Sequence, residues 1–177
     1  MTYREVLREL AYDTHGVVTL HDAADAGVPA VEVRKLASRG ALERLGKGVY
    51  RMTEAPHGPL DEFAEAVALV GSDAVLADEA VLAALGLAQV NLRRIKVATN
   101  QRVRHDLPGT VEVVRRNVAD DERDDIDGIP AMSLVAALLG AKGRILPERL
   151  VDAVRKATAR ELLSPRDGER VLEALKV

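Results

Sequence analysis

Apolar positions near the start of the chain recur at helical spacing. Val6, Leu7, Leu10 and Ala11 share one face of a helix over residues 2–12. Thr19 can cap a second helix, with Asp22 in its first turn, and Gly27 can end it. Pro29 then starts a third helix two residues later, a connection tight enough to predict a helix-turn-helix. At 100° per residue the third helix has two sides. Ala30, Val33, Leu36, Ala37 and Gly40 form a core-like side, and Val31, Lys35 and Ser38 lie opposite, flanked by Arg34 and Arg39. Two short apolar segments around Gly46-Lys47-Gly48 then read as a β-hairpin. Three helices followed by a hairpin with a basic tip predict a winged helix-turn-helix.

Residues 53–60 hold two prolines and a glycine and break both periodicities, which marks a linker. Beyond it the pattern predicts helices over 61–70 and 75–85, strands over 95–99 and 110–115, and an acidic loop over 120–127. Ser133 can cap a helix stopped by Gly140. Pro147 fits the first turn of a helix running to about residue 163, and Ser164-Pro165-Arg166-Asp167 opens a last helix to the C-terminus. The expected class is α+β: an N-terminal winged helix-turn-helix over residues 1–56, then a mixed α/β domain with a helical C-terminus over residues 59–177.

Composition narrows the chemistry. With 47% apolar residues among 177 a real core is available, but aromatics are 2%, which argues against stacking platforms for single-stranded nucleic acid or flat cofactors. Cysteine is absent, so disulfides, thiolate metal sites and cysteine nucleophiles are excluded. The apolar runs are too short to span a bilayer, and a soluble, cytoplasmic protein without a membrane partner is expected. Net charge is −3, unevenly spread: residues 59–128 are net −6, residues 129–177 net +3. Residues 30–52 carry Arg34, Lys35, Arg39, Arg44, Lys47 and Arg51 against only Glu32 and Glu43. A basic stripe on a helix-turn-helix is the footprint of a phosphate-binding surface. The DNA-contact candidates are therefore Val31, Arg34, Lys35, Ser38, Arg39, Arg44, Lys47 and Arg51; the hairpin faces of Arg44 and Arg51 are left open by the sequence.

The run Gly16-Val-Val-Thr-Leu, then Ala26-Gly27-Val28-Pro29, Arg39-Gly40-Ala41-Leu42-Glu43-Arg44 and Gly46-Lys-Gly-Val-Tyr-Arg51 resembles the N-terminal winged helix of AbiEi-type antitoxins. More weakly, 74–77, the 80–87 segment, 95–98 and 128–130 resemble that family's second domain, although Glu79-Ala80-Val81 and Ala84 stand where the family often has Ser-Ala-Leu and His. The resemblance implies a transcriptional repressor of its own toxin–antitoxin operon in abortive infection, opposing a nucleotidyltransferase toxin. Its partners would be duplex operator DNA and that toxin. A dimer, or paired binding to adjacent repeats, is expected because a single winged helix seldom supplies repressor affinity.

Other patterns carry less. His15, His21, His57 and His105 lack the spacing of a metal helix, and the 120–127 acids adjoin rather than alternate as a calcium loop requires. Gly140-Ala-Lys-Gly143 follows a helix, not a strand, so it is no phosphate loop. No catalytic site, metal or cofactor is expected, and the protein is read as a non-enzyme. Arg149, Lys156 and Arg160 fall at i, i+7, i+11 and form a candidate partner-binding stripe on the 147–163 helix. The alternative reading is a ligand-responsive winged-helix regulator without a toxin partner, disfavoured by the shortage of pocket aromatics after residue 59. A nuclease would need acidic ligands clustered on strand ends.

Overall fold

The computed structural model describes residues 1–90 and 92–176. Among them lie eight α-helices and two sheets, a mixed α+β architecture with a helical C-terminal part. The chain forms two compact units, Met1–Ser72 with Val103–Pro108, and Asp73–Arg102 with Gly109 onward.

In the first unit, α1 (Tyr3–Asp13) opens on a capping box in which Thr2 and Glu5 satisfy each other's backbone N–H groups. These bonds hold the Glu5 carboxyl below its ordinary range. After Gly16 the chain runs through β1 (Val17–Thr19) into α2 (Leu20–Asp25), where Thr19 accepts from the Asp22 N–H at 3.0 Å as its spacing requires. Gly27 turns at φ 82°, and α3 (Ala30–Ser38) follows. The hairpin of β2 (Leu42–Gly46) and β3 (Val49–Met52) closes the motif, in a sheet of antiparallel order β1-β3-β2. Leu7, Ala11, Val18, Ala23, Val28, Val33, Leu42, Tyr50 and Met52 form its core.

The unit does not stop at the linker. Helix α4 (Asp61–Val70), which the sequence places in the second domain, packs with the first. Its Leu69 approaches Gly46 so closely that a Cβ there would meet a Leu69 methyl at 2.5 Å. The His105 ring donates to the Leu69 carbonyl at 2.7 Å, bringing the 103–108 segment into the same unit.

The second unit is built on a five-stranded sheet of order β6-β5-β4-β8-β7, made from β4 (Val75–Leu76), β5 (Ile95–Thr99), β6 (Val111–Arg115), β7 (Arg123–Ile126) and β8 (Ile129–Met132). β4 lies antiparallel to β5 and parallel to β8. The helices are α5 (Glu79–Ala84), α6 (Leu134–Gly140), α7 (Pro147–Ala159) and α8 (Pro165–Leu175). Ser133 and Ser164 cap α6 and α8 as their positions predict. Leu138, Leu150, Ala153, Val154, Ala157 and Val171 fill the helical core without an aromatic ring.

Three expectations change. The apolar run 75–85 is not one helix but strand β4, a reversal at Asp78 (φ 51°) and the short α5; a run buried throughout carries no period that separates strand from helix. The acidic stretch is not a loop. Its first residues make one 3-10 turn, Asp120–Glu122, and the next form β7, which pairs with β8 through a two-residue Asp127-Gly128 turn, both at positive φ. α7 ends at Ala159, short of 163, with Glu161 at φ 59°. The last helix ends at Leu175, and Val177 lies outside the described residues.

Candidate nucleic-acid interface

Two helical periods decide what α3 presents. Val33 is fully buried, with Leu36 and Ala37 half-buried against the core, and the opposite side carries Val31, Arg34, Lys35 and Ser38 in the open, followed by the exposed Arg39. Arg34 and Arg39 have no ion pair or side-chain hydrogen bond among the described residues. Lys35 is less free: its Nζ lies 3.0 Å from the Glu32 carboxylate one turn back. The Ser38 hydroxyl donates to the Lys35 carbonyl at 2.8 Å.

On the hairpin, Glu43 and Arg44 are both exposed, and the register shifts just beyond them, between Arg44 and Gly46. Lys47 stands at the tip, exposed and unpaired among the described residues, beside Gly48 at φ 68°. Arg34, Arg39, Arg44 and Lys47 are thus four free cations on a helix face and a hairpin. This arrangement can neutralise phosphates from the hairpin while a helix face meets base edges.

Arg51 does not join them. It is 5% exposed. Its guanidinium lies 3.1 Å from Asp61 and 3.5 Å from Glu65, both on α4, and donates to the carbonyls of His15 and Pro56. Gly16 packs against it: a Cβ there would meet Arg51 Nη1 at 2.8 Å. Arg51 is therefore removed from the DNA-contact set, because strand β3 is buried on both faces and its outward side chain meets α4 instead of water. Burial pushes the Glu65 carboxyl above its ordinary value, against the pull of Arg51.

The stripe expected on α7 is also altered. Arg149 is exposed without an ion pair among the described residues, but Lys156 pairs with Asp152 at 2.8 Å and Arg160 donates to the Leu85 carbonyl. One free cation remains where three are expected.

The second unit instead holds a charge cluster that the sequence does not reveal. Asp78, fully buried, accepts two bonds from Arg116 at 2.9 and 3.2 Å. Lys96, 1% exposed, lies 2.7 Å from Glu79 and 3.7 Å from Asp78. Asp78 raises the Arg116 pKa through these hydrogen bonds. Gly140 leaves room for the Asp78 carboxylate, which any Cβ at that position would strike. Opposite charges satisfy one another here, apart from Glu79 Oε2, which is buried without a hydrogen-bond partner among the described residues. The arrangement ties β4, α5, β5 and the end of β6 together. Among the described residues no group of three or more His, Cys, Asp or Glu could hold a metal ion, and no helix is long and apolar enough to cross a membrane.

Residues 5–53 match the family model described as a transcriptional regulator, AbiEi antitoxin. Among solved structures, the chain resembles the crystal structure of the RV2827C protein from Mycobacterium tuberculosis at 21% identity, with a TM-score of 0.45 over 100% of this chain and 83% of that one. No curated protein matches the chain.

Proposed function

We propose that this protein is a DNA-binding antitoxin: its winged helix represses its own toxin–antitoxin operon, and its second unit opposes a nucleotidyltransferase toxin. The observation that carries the DNA reading is the exposed face of α3, where Val31, Arg34, Lys35, Ser38 and the adjoining Arg39 stand away from a core formed by Val33, Leu36 and Ala37. The match of residues 5–53 to a family of regulator antitoxins supports the same reading. Arg44 and Lys47 would bind the phosphates flanking the groove. Two copies on adjacent repeats would supply the affinity a repressor needs.

A mobility-shift titration with the duplex upstream of its own reading frame tests this. Retarded species at increasing protein, lost with Arg34→Ala plus Arg39→Ala, are expected; unretarded duplex at every concentration overturns it. The toxin arm is tested by co-expressing a nucleotidyltransferase encoded beside the gene. Rescue of growth by the full chain is expected, and undiminished toxicity removes that arm. Charge reversal of Arg149, the member of the α7 stripe that is unpaired among the described residues, should weaken rescue while repression stays intact.

A further inference from the structure

The first turns of α3 carry an apolar side chain that the fold does not use. Val31 is 52% exposed, while Val33 on the same helix is buried and Leu36 half-buried against the core. Helix propensity does not explain it. A β-branched residue is a poorer helix former than Ala, Glu or Lys, and Val31 stands outside the buried core that could compensate. Its companions along the face, at i+3, i+4 and i+7, are Arg34, Lys35 and Ser38.

These companions are not equally available. Lys35 is held by Glu32 at 3.0 Å, and the Ser38 hydroxyl is engaged by the Lys35 carbonyl. A base that took either group would first have to displace an existing bond. Val31 has only methyl groups to offer and Arg34 has no partner among the described residues, so neither gives up an intramolecular bond on contact. The N-terminal residues of a recognition helix are the ones that meet base edges. In the major groove the one apolar feature on those edges is the C5-methyl of thymine, whereas a guanidinium matches guanine O6 and N7.

We infer that the duplex read by this face carries a thymine whose C5-methyl packs against Val31, beside a guanine read by Arg34; this rests on the DNA-binding reading above. Val31 is then a specificity-determining residue that acts by dispersion and water exclusion, independent of salt. Covering one methyl group corresponds to about fourfold in affinity at roughly 0.8 kcal/mol per buried carbon.

The full-length chain is used to select from a duplex library randomised over 20 base pairs, and each thymine of the selected duplex is then replaced by deoxyuridine, which removes only the methyl. One thymine is expected whose replacement weakens wild-type binding about fourfold, with that penalty absent in Val31→Ala. Arg34→Ala serves as the control, weakening binding overall while the deoxyuridine penalty persists. Val31→Ala leaves the core untouched, and an unchanged Tm confirms its fold. A selected motif without a thymine, or a deoxyuridine penalty equal in wild type and Val31→Ala, overturns the inference while the DNA reading stands. A library from which wild type enriches no sequence overturns the DNA reading itself, and this inference with it.

Discussion

On α3 and along the β2–β3 hairpin, Arg34, Arg39, Arg44 and Lys47 stand in water without carboxylate partners among the described residues. In the second unit, Lys96 and Arg116 are drawn onto Asp78 and Glu79, and Lys96 is almost wholly buried. The same side-chain chemistry does opposite work in the two places. A cation with a buried partner is committed to the fold, and removing either member leaves the other's desolvation uncompensated. A free surface cation contributes almost nothing to stability and keeps its charge for a ligand. Availability, rather than local net charge, separates the proposed interface from the structural cluster. Arg51 makes the point within the first unit itself, since it belongs to the basic stripe by sequence and to the interior by contact.

Breaking the buried cluster should give the largest effect. Asp78→Ala takes both carboxylate bonds from Arg116 and leaves Lys96 with Glu79 alone, and is expected to cost about 3–5 kcal/mol in urea unfolding; Arg34→Ala should stay within about 0.5 kcal/mol by the same measurement. Equal losses for the two variants would erase the distinction. The second effect concerns Arg51. Arg51→Ala leaves the Asp61 and Glu65 carboxylates near one another without their cation. A destabilisation of about 2–3 kcal/mol is expected, discounted for their partial exposure. A fragment of residues 1–56, the domain as its sequence boundary would cut it, also lacks both carboxylates. It should melt well below a fragment of residues 1–72, by circular dichroism.

Binding measurements sharpen the other side. Arg34→Ala should weaken operator binding by about 1–3 kcal/mol, a specific base contact's worth. Lys47→Ala should act on all sequences alike and flatten the slope of log affinity against log salt by about 0.9. A slope unmoved by Lys47 would take the hairpin tip off the phosphates. The smallest effect is a pH dependence at Glu65. Its carboxyl titrates above the ordinary value in the folded protein, because burial disfavours its charge. The folded state therefore holds the proton more tightly than the unfolded chain, and stability falls as pH rises from the ordinary carboxylate range through the raised value, then levels. Glu65→Gln should remove that fall from a series of melts across acidic pH.

The difference between the two regions also explains what could be read from the chain. The α3 face is legible because one helical period sorts Val31, Arg34, Lys35 and Ser38 from Val33 and Leu36, and because Thr19, Gly27 and Pro29 fix the boundaries locally. Arg51 is not legible. Val49, Tyr50, Arg51 and Met52 are all buried, so alternation is lost, and the helix that covers Arg51 arrives from beyond a linker. The second-unit cluster draws on positions 78, 79, 96 and 116, which no spacing rule connects, and it turns on a backbone conformation at Asp78 that a carboxylate rarely adopts. The β7–β8 hairpin carried a signal all the same: Asp127-Gly128 between Ile126 and Ile129 is a hairpin turn, hidden in a stretch whose acidity suggests a solvated loop.

That hairpin has a consequence for life at high concentration. β7 is the last strand of its sheet, and such a margin offers unpaired backbone groups on which another chain could grow as a further strand. Here it is four residues long, with Arg123, Asp124 and Asp125 exposed and the acids of the preceding turn beside them. An approaching copy would bring the same acids against these, so the sheet discourages its own extension into fibrils. Exposed charges along such a margin are one of the means by which a sheet avoids pairing with another copy of itself.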